Sequence, residues 1–238
     1  MGPETTPVLI LCGGRGTRLQ QGRDSIPKAL VEIGGMPIIW HIVQCYLAAG
    51  FLNIWLLTGY LGDQIESFVD AADWPSGARV ESIDTGLDTP TGGRVAAVAE
   101  RLGDDDFCLT YGDGLSDGDL GLLLAEHQSS GAAASLTAVQ PQMQFGVLEL
   151  DGEHVTGFDE KPQSERWING GFICAGRPLV ELLDRDSVLE KAPFERLAES
   201  GQLRAHRHSG FWACMDTYKE TLMLNDLYDR NEAPWRRW

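Results

Sequence analysis

A glycine-rich turn directly after an apolar segment is the first feature of this sequence that could do chemistry. Val8–Cys12 is apolar throughout, which predicts a buried strand, and Gly13-Gly14-Arg15-Gly16-Thr17-Arg18 follows it at once. Glycines let backbone N–H groups approach a ligand closely, and an arginine adds a bidentate contact to an anion. The turn is not a Walker A loop, because the chain contains no Gly-Lys dipeptide, and it lacks the third glycine of a Rossmann fingerprint. We interpret it as an anion-binding turn suited to phosphate oxygens.

A lysine and two aspartates form a second group of candidates. Lys28 follows Pro27, whose fixed backbone could direct the lysine back toward the glycine-rich turn. Asp113 lies between two glycines after the apolar run Phe107–Tyr111, and Asp216 follows another strand-like segment. In open α/β sheets, ligands bind at the carboxyl ends of the strands. Because Mg²⁺ prefers carboxylate and phosphate oxygens, these two aspartates are the predicted metal ligands.

A competing motif predicts a different chemistry. Gly114-Leu115-Ser116-Asp117-Gly118 fits the G-x-S-x-G pattern of a nucleophile elbow, with His206 or His208 as the base. The sequence has no HGG-type oxyanion segment, and Asp113-Gly114 lengthens the turn before Ser116. An α/β-hydrolase that uses Ser116 therefore stays an alternative.

The elements that must position these residues alternate between strand and helix through residue 130. Strands are predicted over Val8–Cys12, Asn53–Leu57, Val80–Asp84 and Phe107–Tyr111, and helices over Pro37–Ala49, Asp63–Ala72, Gly93–Leu102 and Leu120–His127. Later strands are predicted over Ala134–Val139, Gln144–Leu150, His154–Glu160 and Leu203–His208, with a hairpin turn at Asp151-Gly152, and later helices over Pro178–Asp184, Phe194–Ser200 and Thr217–Arg230. This order predicts an α/β fold with a Rossmann-like mixed, mostly parallel sheet flanked by helices. We expect a single domain over residues 1–238, with an α/β nucleotide-binding half at about 8–130 and a mixed second half at about 131–238.

Composition excludes several classes of protein. The 238 residues carry 19 basic and 35 acidic side chains, which gives a formal net charge of −16 and disfavours nucleic acids and anionic membranes as partners. The five cysteines are widely spaced and odd in number, which argues against a disulfide framework and a zinc knuckle. With no signal peptide and no long apolar run, a cytoplasmic location is expected.

Taken together, the motifs resemble the sugar-1-phosphate nucleotidyltransferases. The signature is Leu11-Cys12-Gly13-Gly14-x-Gly16-Thr17-Arg18 followed by Pro27-Lys28. Further stretches are similar to the glucose-1-phosphate cytidylyltransferases of that family. They include Asp84-Thr85-Gly86, Thr91-Gly92-Gly93-Arg94, Thr110–Gly114, Glu160-Lys161-Pro162, Ile168–Phe172, Gly210-Phe211-Trp212, Met215-Asp216-Thr217 and Ala233-Pro234-Trp235. The segment from Phe68 to Asp84 is shorter than in that group, and Gln144 stands where the group has arginine.

The resemblance implies the nucleotide-diphospho-sugar transferase fold and a Mg²⁺-dependent reaction. A nucleoside triphosphate and a sugar 1-phosphate would give a nucleotide sugar and pyrophosphate, with CTP and glucose 1-phosphate as the favoured pair. UTP, dTTP, ATP or GTP, or a modified sugar 1-phosphate, are alternatives, and so is a non-catalytic subunit that binds nucleotide sugars. The resemblance also implies a homo-oligomer.

It further implies a role for each matched residue. Lys28, Arg18 and Asp113 would be catalytic, and Asp113 and Asp216 would hold the metal. The nucleotide would be bound by Leu11, Cys12, Gly13, Gly14, Arg15, Gly16, Thr17, Arg18, Lys28, Thr89, Gly92, Arg94 and Gly112. Of these, Thr89, Gly92 and Arg94 would contact the base. The sugar phosphate would be bound by Glu160, Lys161, Asn169 and Gly170.

Overall fold

The structure is a computed structural model that describes residues 1–14 and 26–238. Its strands, in chain order, are β1 (Pro7–Leu11), β2 (Glu32–Ile33), β3 (Met36–Pro37), β4 (Asn53–Thr58), β5 (Arg79–Asp84), β6 (Phe107–Tyr111), β7 (Gly114–Ser116), β8 (Ala134–Val139), β9 (Val147–Asp151), β10 (His154–Asp159), β11 (Ile168–Ala175), β12 (Leu203–Arg207) and β13 (Trp212–Cys214). Its helices are α1 (Ile38–Ala48), α2 (Gly62–Ala71), α3 (Thr91–Ala97), α4 (Ala99–Leu102), α5 (Leu120–Ser130), α6 (Arg177–Val180), α7 (Ala192–Glu199) and α8 (Tyr218–Asp229), with a 3₁₀ turn at Lys28–Leu30.

One central sheet collects strands from both halves of the chain. The order across it is β12-β8-β11-β6-β1-β4-β5. Strand β1 is parallel to β4 and β6, β4 is parallel to β5, and β12 is parallel to β8. Only β11 runs antiparallel to its two neighbours within this sheet as the structure describes it. The mixed, mostly parallel sheet predicted from the sequence is confirmed, and the carboxyl ends of β1, β4 and β6 meet at one edge.

Alternate side chains of β1 supply the two apolar cores, one on each face of the sheet. Val8 and Ile10 pack with residues of α1, α2, α5 and α8, whereas Leu9 and Leu11 pack with residues of α3, α6 and α7. A strand covered by helices on both faces must be apolar at every position, which is why β1 is a continuous hydrophobic run. The same rule accounts for the run in β4.

Several elements differ from their predicted bounds. The predicted helix Gly93–Leu102 is two helices, α3 and α4, which meet at Val98. The predicted helix Pro178–Asp184 is confined to the four residues of α6, and the strand predicted from Gln144 begins at Val147. The central strand β11 had no prediction. Within residues 1–14 and 26–238, no helix is both long and apolar enough to cross a bilayer.

Candidate active site

Lys28 lies between the two aspartates that the sequence singled out. Its Nζ donates to Oδ2 of Asp113 and to Oδ1 of Asp216, each at 2.6 Å. Burial by itself would lower the pKa of Lys28, but the adjacent Asp113 charge and the hydrogen bonds to both carboxylates raise it above its ordinary value. The ammonium therefore stays charged at neutral pH and neutralises part of the carboxylate pair.

Pairing of β7 with β13 brings Asp216 to Asp113 across a separation of about a hundred residues. Cys214 is paired with Gly114, and the Met215 N–H donates to the carbonyl oxygen of Asp113 at 2.8 Å. Glu220 then orients the chain after β13, because its Oε2 accepts from the N–H groups of Asp216 and Thr217, each at 2.7 Å. Thr217 and Glu220 form the capping box at the start of α8. Asp216 is thus held at a helix start that both strand pairing and capping define.

The turn after β1 lies directly beside the segment that carries Asp113. The Gly112 N–H donates to the carbonyl oxygen of Leu11 at 2.9 Å, and a Cβ at Gly112 would lie 3.0 Å from that oxygen and from Cys12. Only glycine allows this close approach of two backbones without a shift. Leu11 and Cys12 are buried, and burial raises the pKa of the Cys12 thiol to about 12. Gly13 and Gly14 follow them, whereas Arg15, Gly16, Thr17 and Arg18 lie outside the described residues.

The Arg94 side chain connects three backbone segments by hydrogen bonds. The side chain is buried, and its guanidinium donates to the carbonyl oxygens of Gly13 at 3.1 Å, Thr58 at 2.6 Å and Gly86 at 3.0 Å. A fourth bond reaches Oγ1 of Thr85 at 2.7 Å. A Cβ at Gly13 would overlap the guanidinium group, so glycine is required there. Arg94 thereby holds the backbone at Gly13, where the glycine-rich turn begins, and its predicted contact with a base stays a prediction.

A cavity of about 580 Å³ opens beside the loop that follows β5. It is lined by Gly86, Leu87, Asp88, Thr89, Pro90, Arg185 and Asp186. Thr89 donates through its hydroxyl to the Thr85 carbonyl oxygen at 2.6 Å, which stiffens the loop. Gly92 packs closely against Ser187, where a Cβ would lie 2.8 Å from the Ser187 carbonyl oxygen. Of the residues predicted to contact the base, Thr89 lies in the wall of this cavity and Gly92 lies against the segment that closes it.

On the other side of β6, a chain of hydrogen bonds joins the predicted sugar-phosphate residue Asn169 to the first half. Asn169 Nδ2 donates to the Tyr111 hydroxyl oxygen at 3.2 Å, and that hydroxyl donates to Oε1 of Glu190 at 2.6 Å. The other carboxylate oxygen of Glu190 accepts from the Thr91 hydroxyl at 2.7 Å. Burial, followed by the nearby Glu190 charge, raises the pKa of Tyr111, so the phenol keeps its proton. Neither Tyr111 nor Glu190 was among the predicted site residues. Tyr111 is the last residue of the apolar strand β6, and Glu190 belongs to no motif.

Irregular backbone marks the rest of the predicted sugar-phosphate region. The register of β11 against β8 shifts between Asn169 and Ile173, and Phe172 has a φ of 44°. Gly170 accepts a hydrogen bond from the Trp212 indole at 2.7 Å. Lys161 has a φ of 50°, and its Nζ pairs with Oε1 of the preceding Glu160 at 2.9 Å. Left-handed backbone at non-glycine residues is costly and concentrates at functional sites.

The donor set beside Lys28 fits a divalent cation. One oxygen of Asp113, one oxygen of Asp216 and the Cys214 Sγ lie within 4.8 Å of one another. Burial, followed by the Asp113 charge, raises the pKa of the Cys214 thiol, so the two carboxylates are the charged donors. Two hard oxygen ligands on a half-open edge of the sheet match what Mg²⁺ takes from proteins.

The groups that a hydrolase would need are engaged elsewhere. The buried Ser116 Oγ accepts from the Gly118 N–H at 3.0 Å. His206 pairs with Glu126 at 2.7 Å, and His208 pairs with Asp117 at 3.0 Å. Each histidine is therefore paired with a carboxylate rather than with Ser116, which it would have to activate in a hydrolase.

A mostly parallel sheet is covered by helices on both faces, and a lysine and two carboxylates lie at one edge, next to the glycines that follow β1. These features define an α/β enzyme that acts on phosphorylated ligands. The profile of the nucleotidyl transferase family matches residues 7–201, and the chain belongs to that family.

Curated relatives agree with this assignment over nearly the whole chain. The "Probable glucose-1-phosphate cytidylyltransferase" of Bacillus subtilis (strain 168) is 36% identical over 251 residues, covering 97% of this chain and 99% of the relative. The glucose-1-phosphate cytidylyltransferase of Salmonella typhi is 36% identical, with coverage of 97% and 98%. The mannose-1-phosphate guanylyltransferase catalytic subunit beta of Danio rerio is 30% identical, covering 96% of this chain and 67% of the relative.

A solved structure shares the fold. HddC from Yersinia pseudotuberculosis superposes with a TM-score of 0.74 at 22% identity, covering 94% of this chain and all of HddC. The alignment with the Bacillus subtilis relative is longer than the 238 residues of this chain, so that relative carries additional residues within it.

Proposed function

We propose that this nucleotidyltransferase transfers the cytidylyl group of CTP to glucose 1-phosphate, which gives CDP-glucose and pyrophosphate. The observation that carries the proposal is the Lys28–Asp113–Asp216 cluster at the edge of the sheet, with 2.6 Å contacts, near the end of β1, which Gly13 and Gly14 follow. The choice of CTP and glucose 1-phosphate is supported by two relatives that are 36% identical over 97% of the chain.

In this reaction an oxygen of the sugar phosphate attacks the α-phosphorus of the nucleotide. The new P–O bond forms as the bond to the β-phosphate breaks, and pyrophosphate leaves with the electron pair. The chain must bring two polyanions together, so positioning and charge neutralisation carry most of the catalysis. Backbone N–H groups at Gly13 and Gly14 would bind the triphosphate, and the Lys28 ammonium would hold the α-phosphate.

Asp113 and Asp216 would hold a Mg²⁺ ion, which would supply positive charge against the negative charge of the phosphates. Thr89 would meet the base in the cavity beside the β5 loop. Asn169, Gly170, Glu160 and Lys161 would bind the sugar phosphate. Arg15, Gly16, Thr17 and Arg18 keep the roles that the resemblance implies, and self-association also stays a prediction.

Pyrophosphate release tests the function. Purified chain would be incubated with Mg²⁺ while CTP, UTP, dTTP, ATP and GTP are each crossed with a panel of sugar 1-phosphates that includes glucose and mannose. We expect release that requires CTP and glucose 1-phosphate together. Release with GTP and mannose 1-phosphate would show that the reaction is the proposed one but that the enzyme uses another base and another sugar. An absence of release with every pair would contradict the proposal, and cleavage of an ester substrate would then favour Ser116.

Glu190 is expected to position the sugar side of the site through Tyr111. In Glu190→Ala, the Tyr111 hydroxyl loses its acceptor and the Asn169 amide loses a fixed partner, so the KM for the sugar 1-phosphate should rise about tenfold, the equivalent of one lost hydrogen bond of about 1.4 kcal/mol. The KM for the nucleotide should change less than threefold. Steady-state kinetics with each substrate varied in turn measures this split. The exposed Glu195→Ala on α7 is the matched control, and equal effects on both KM values in Glu190→Ala would argue for a general structural role instead.

A further inference from the structure

Lys28 occupies the place in the site where a cation would be expected. Its Nζ lies within 2.6 Å of Asp113 Oδ2 and of Asp216 Oδ1. Oxygens of these carboxylates and the Cys214 Sγ lie within 4.8 Å of one another, so the space between them takes one cationic centre. An ammonium nitrogen and a divalent ion at that centre would be like charges at contact distance, which strongly disfavours their joint presence.

We propose that Lys28 acts as a placeholder cation, which competes with divalent metal for Asp113 and Asp216 in the nucleotide-free chain and releases them when metal arrives with the nucleotide. This inference rests on the proposed function for the second half of that exchange. It follows that the nucleotide-free chain binds divalent metal weakly, whereas the complex of metal and nucleotide binds well. The metal therefore enters together with the nucleotide and not before it. The nucleotide phosphates favour the displacement of the ammonium by the metal, because they give the displaced ammonium new anionic partners.

The surroundings of Lys28 allow its side chain to move while its backbone stays. The side chains of Lys28, Asp113 and Asp216 are 16%, 24% and 39% exposed, so an ion can reach the cluster from solvent. The next residue, Ala29, is buried in the core that also contains Ile33 and Ile38. The 3₁₀ turn is anchored by that burial, and the four-carbon stem of the lysine supplies the necessary freedom.

Without the ammonium, the two carboxylates lose the cation that lies between them. Their mutual repulsion raises the free energy of the metal-free cluster, and a divalent cation removes it. Replacement of Lys28 by a neutral side chain should therefore tighten metal binding to the free chain. A lysine that merely contributes to folding would have no such effect, which makes metal affinity a sharper readout than turnover.

The experiment is a Mn²⁺ titration of the nucleotide-free, 238-residue chain at pH 8. The electron paramagnetic resonance signal of free aqueous Mn²⁺ falls as the ion binds. We expect Lys28→Met to bind Mn²⁺ at least about tenfold more tightly than the wild type. Lys28→Gln, which retains hydrogen bonding without charge, should behave in the same way and covers the case in which Lys28→Met fails to fold.

Two controls locate the effect. The exposed Lys191→Met should leave Mn²⁺ affinity at the wild-type value, which excludes a general response to the loss of one positive charge. The double variant Lys28→Met with Asp113→Asn should lose the gain, which places the ion at this cluster. Equal Mn²⁺ affinity in wild type and in folded Lys28→Met or Lys28→Gln would overturn the proposal, and so would a gain that survives the loss of Asp113.

The outcome is separable from the fate of the proposed function. If pyrophosphate release is observed and the Lys28 variants bind Mn²⁺ no more tightly, the placeholder role fails and the function stands. If the variants gain affinity and no nucleotide–sugar pair releases pyrophosphate, the competition for the carboxylates stands and the function fails.

Discussion

Replacement of Asp113 by asparagine should lower kcat for pyrophosphate release by about a thousandfold, which corresponds to about 4 kcal/mol of lost transition-state stabilisation. The amide keeps the size of the side chain and removes its charge. It therefore weakens the predicted metal site and takes from Lys28 a carboxylate that lies 2.6 Å away. The effect should fall mainly on kcat, because a change of charge at the reacting phosphates acts most strongly in the transition state.

The measurement is a Mg²⁺ series of steady-state rates on Asp113→Asn and on a matched control. Asp105→Asn removes a charge from the exposed loop before β6 and should leave the rate within twofold of wild type. Circular dichroism and a thermal melt would show that Asp113→Asn keeps the fold. A folded Asp113→Asn enzyme with kcat within tenfold of wild type would remove Asp113 from the catalytic centre.

Arg94→Met should destabilise the protein by about 3 kcal/mol and also weaken nucleotide binding. The variant removes four hydrogen bonds from a buried guanidinium, three of them to backbone carbonyl oxygens of different segments. Hydrogen bonds to a charged group contribute about 1.5–3 kcal/mol each. The expected loss is smaller than the sum of the four, because the Thr58 carbonyl oxygen still accepts hydrogen bonds from Thr85. Arg94→Lys should rescue little, because one ammonium cannot reach three segments at once.

Urea unfolding and the KM for the nucleotide measure the two effects. Arg101→Met in α4 is the matched control, because Arg101 lies on the surface, where it pairs with Glu81 and stacks over Trp55. A surface pair of this kind should contribute less than about 1 kcal/mol. If the free energy of unfolding of Arg94→Met lies within about 1 kcal/mol of the wild-type value, other contacts hold the three segments equally well. The role of Arg94 in holding the backbone at Gly13 would then be wrong.

The first half of the fold was predictable because its signals are local. Buried parallel strands are apolar at every position, and Val8–Cys12, Asn53–Leu57 and Phe107–Tyr111 match β1, β4 and β6 to within one residue at each end. Between them, a proline at the start and a glycine after the end bound α1. These features depend on neighbours in sequence, so they are visible without the tertiary structure.

The second half was harder for physical reasons that its strands make clear. Strand β11 contains Asn169-Gly170-Gly171, a composition typical of a turn, and its register shifts there. Its place between β6 and β8 depends on pairing with strands that are distant in sequence, which local residue propensities do not predict. The hairpin turn at Asp151-Gly152 was predicted because it joins neighbours in sequence, and Gly152 has the expected positive φ of 59°.

For the candidate site, the amino-acid sequence by itself determined which groups are present: a glycine-rich turn, Lys28, two aspartates after strands, and a set of motifs that places the chain in the nucleotidyl transferase family. Only the tertiary structure decided how they meet. The pairing of β7 with β13 brings Asp216 to Asp113, the guanidinium of Arg94 turns inward to three backbone carbonyl oxygens, and Glu190 reaches Tyr111. These contacts join residues far apart in the chain, and their geometry follows from the packing of the whole sheet and its helices.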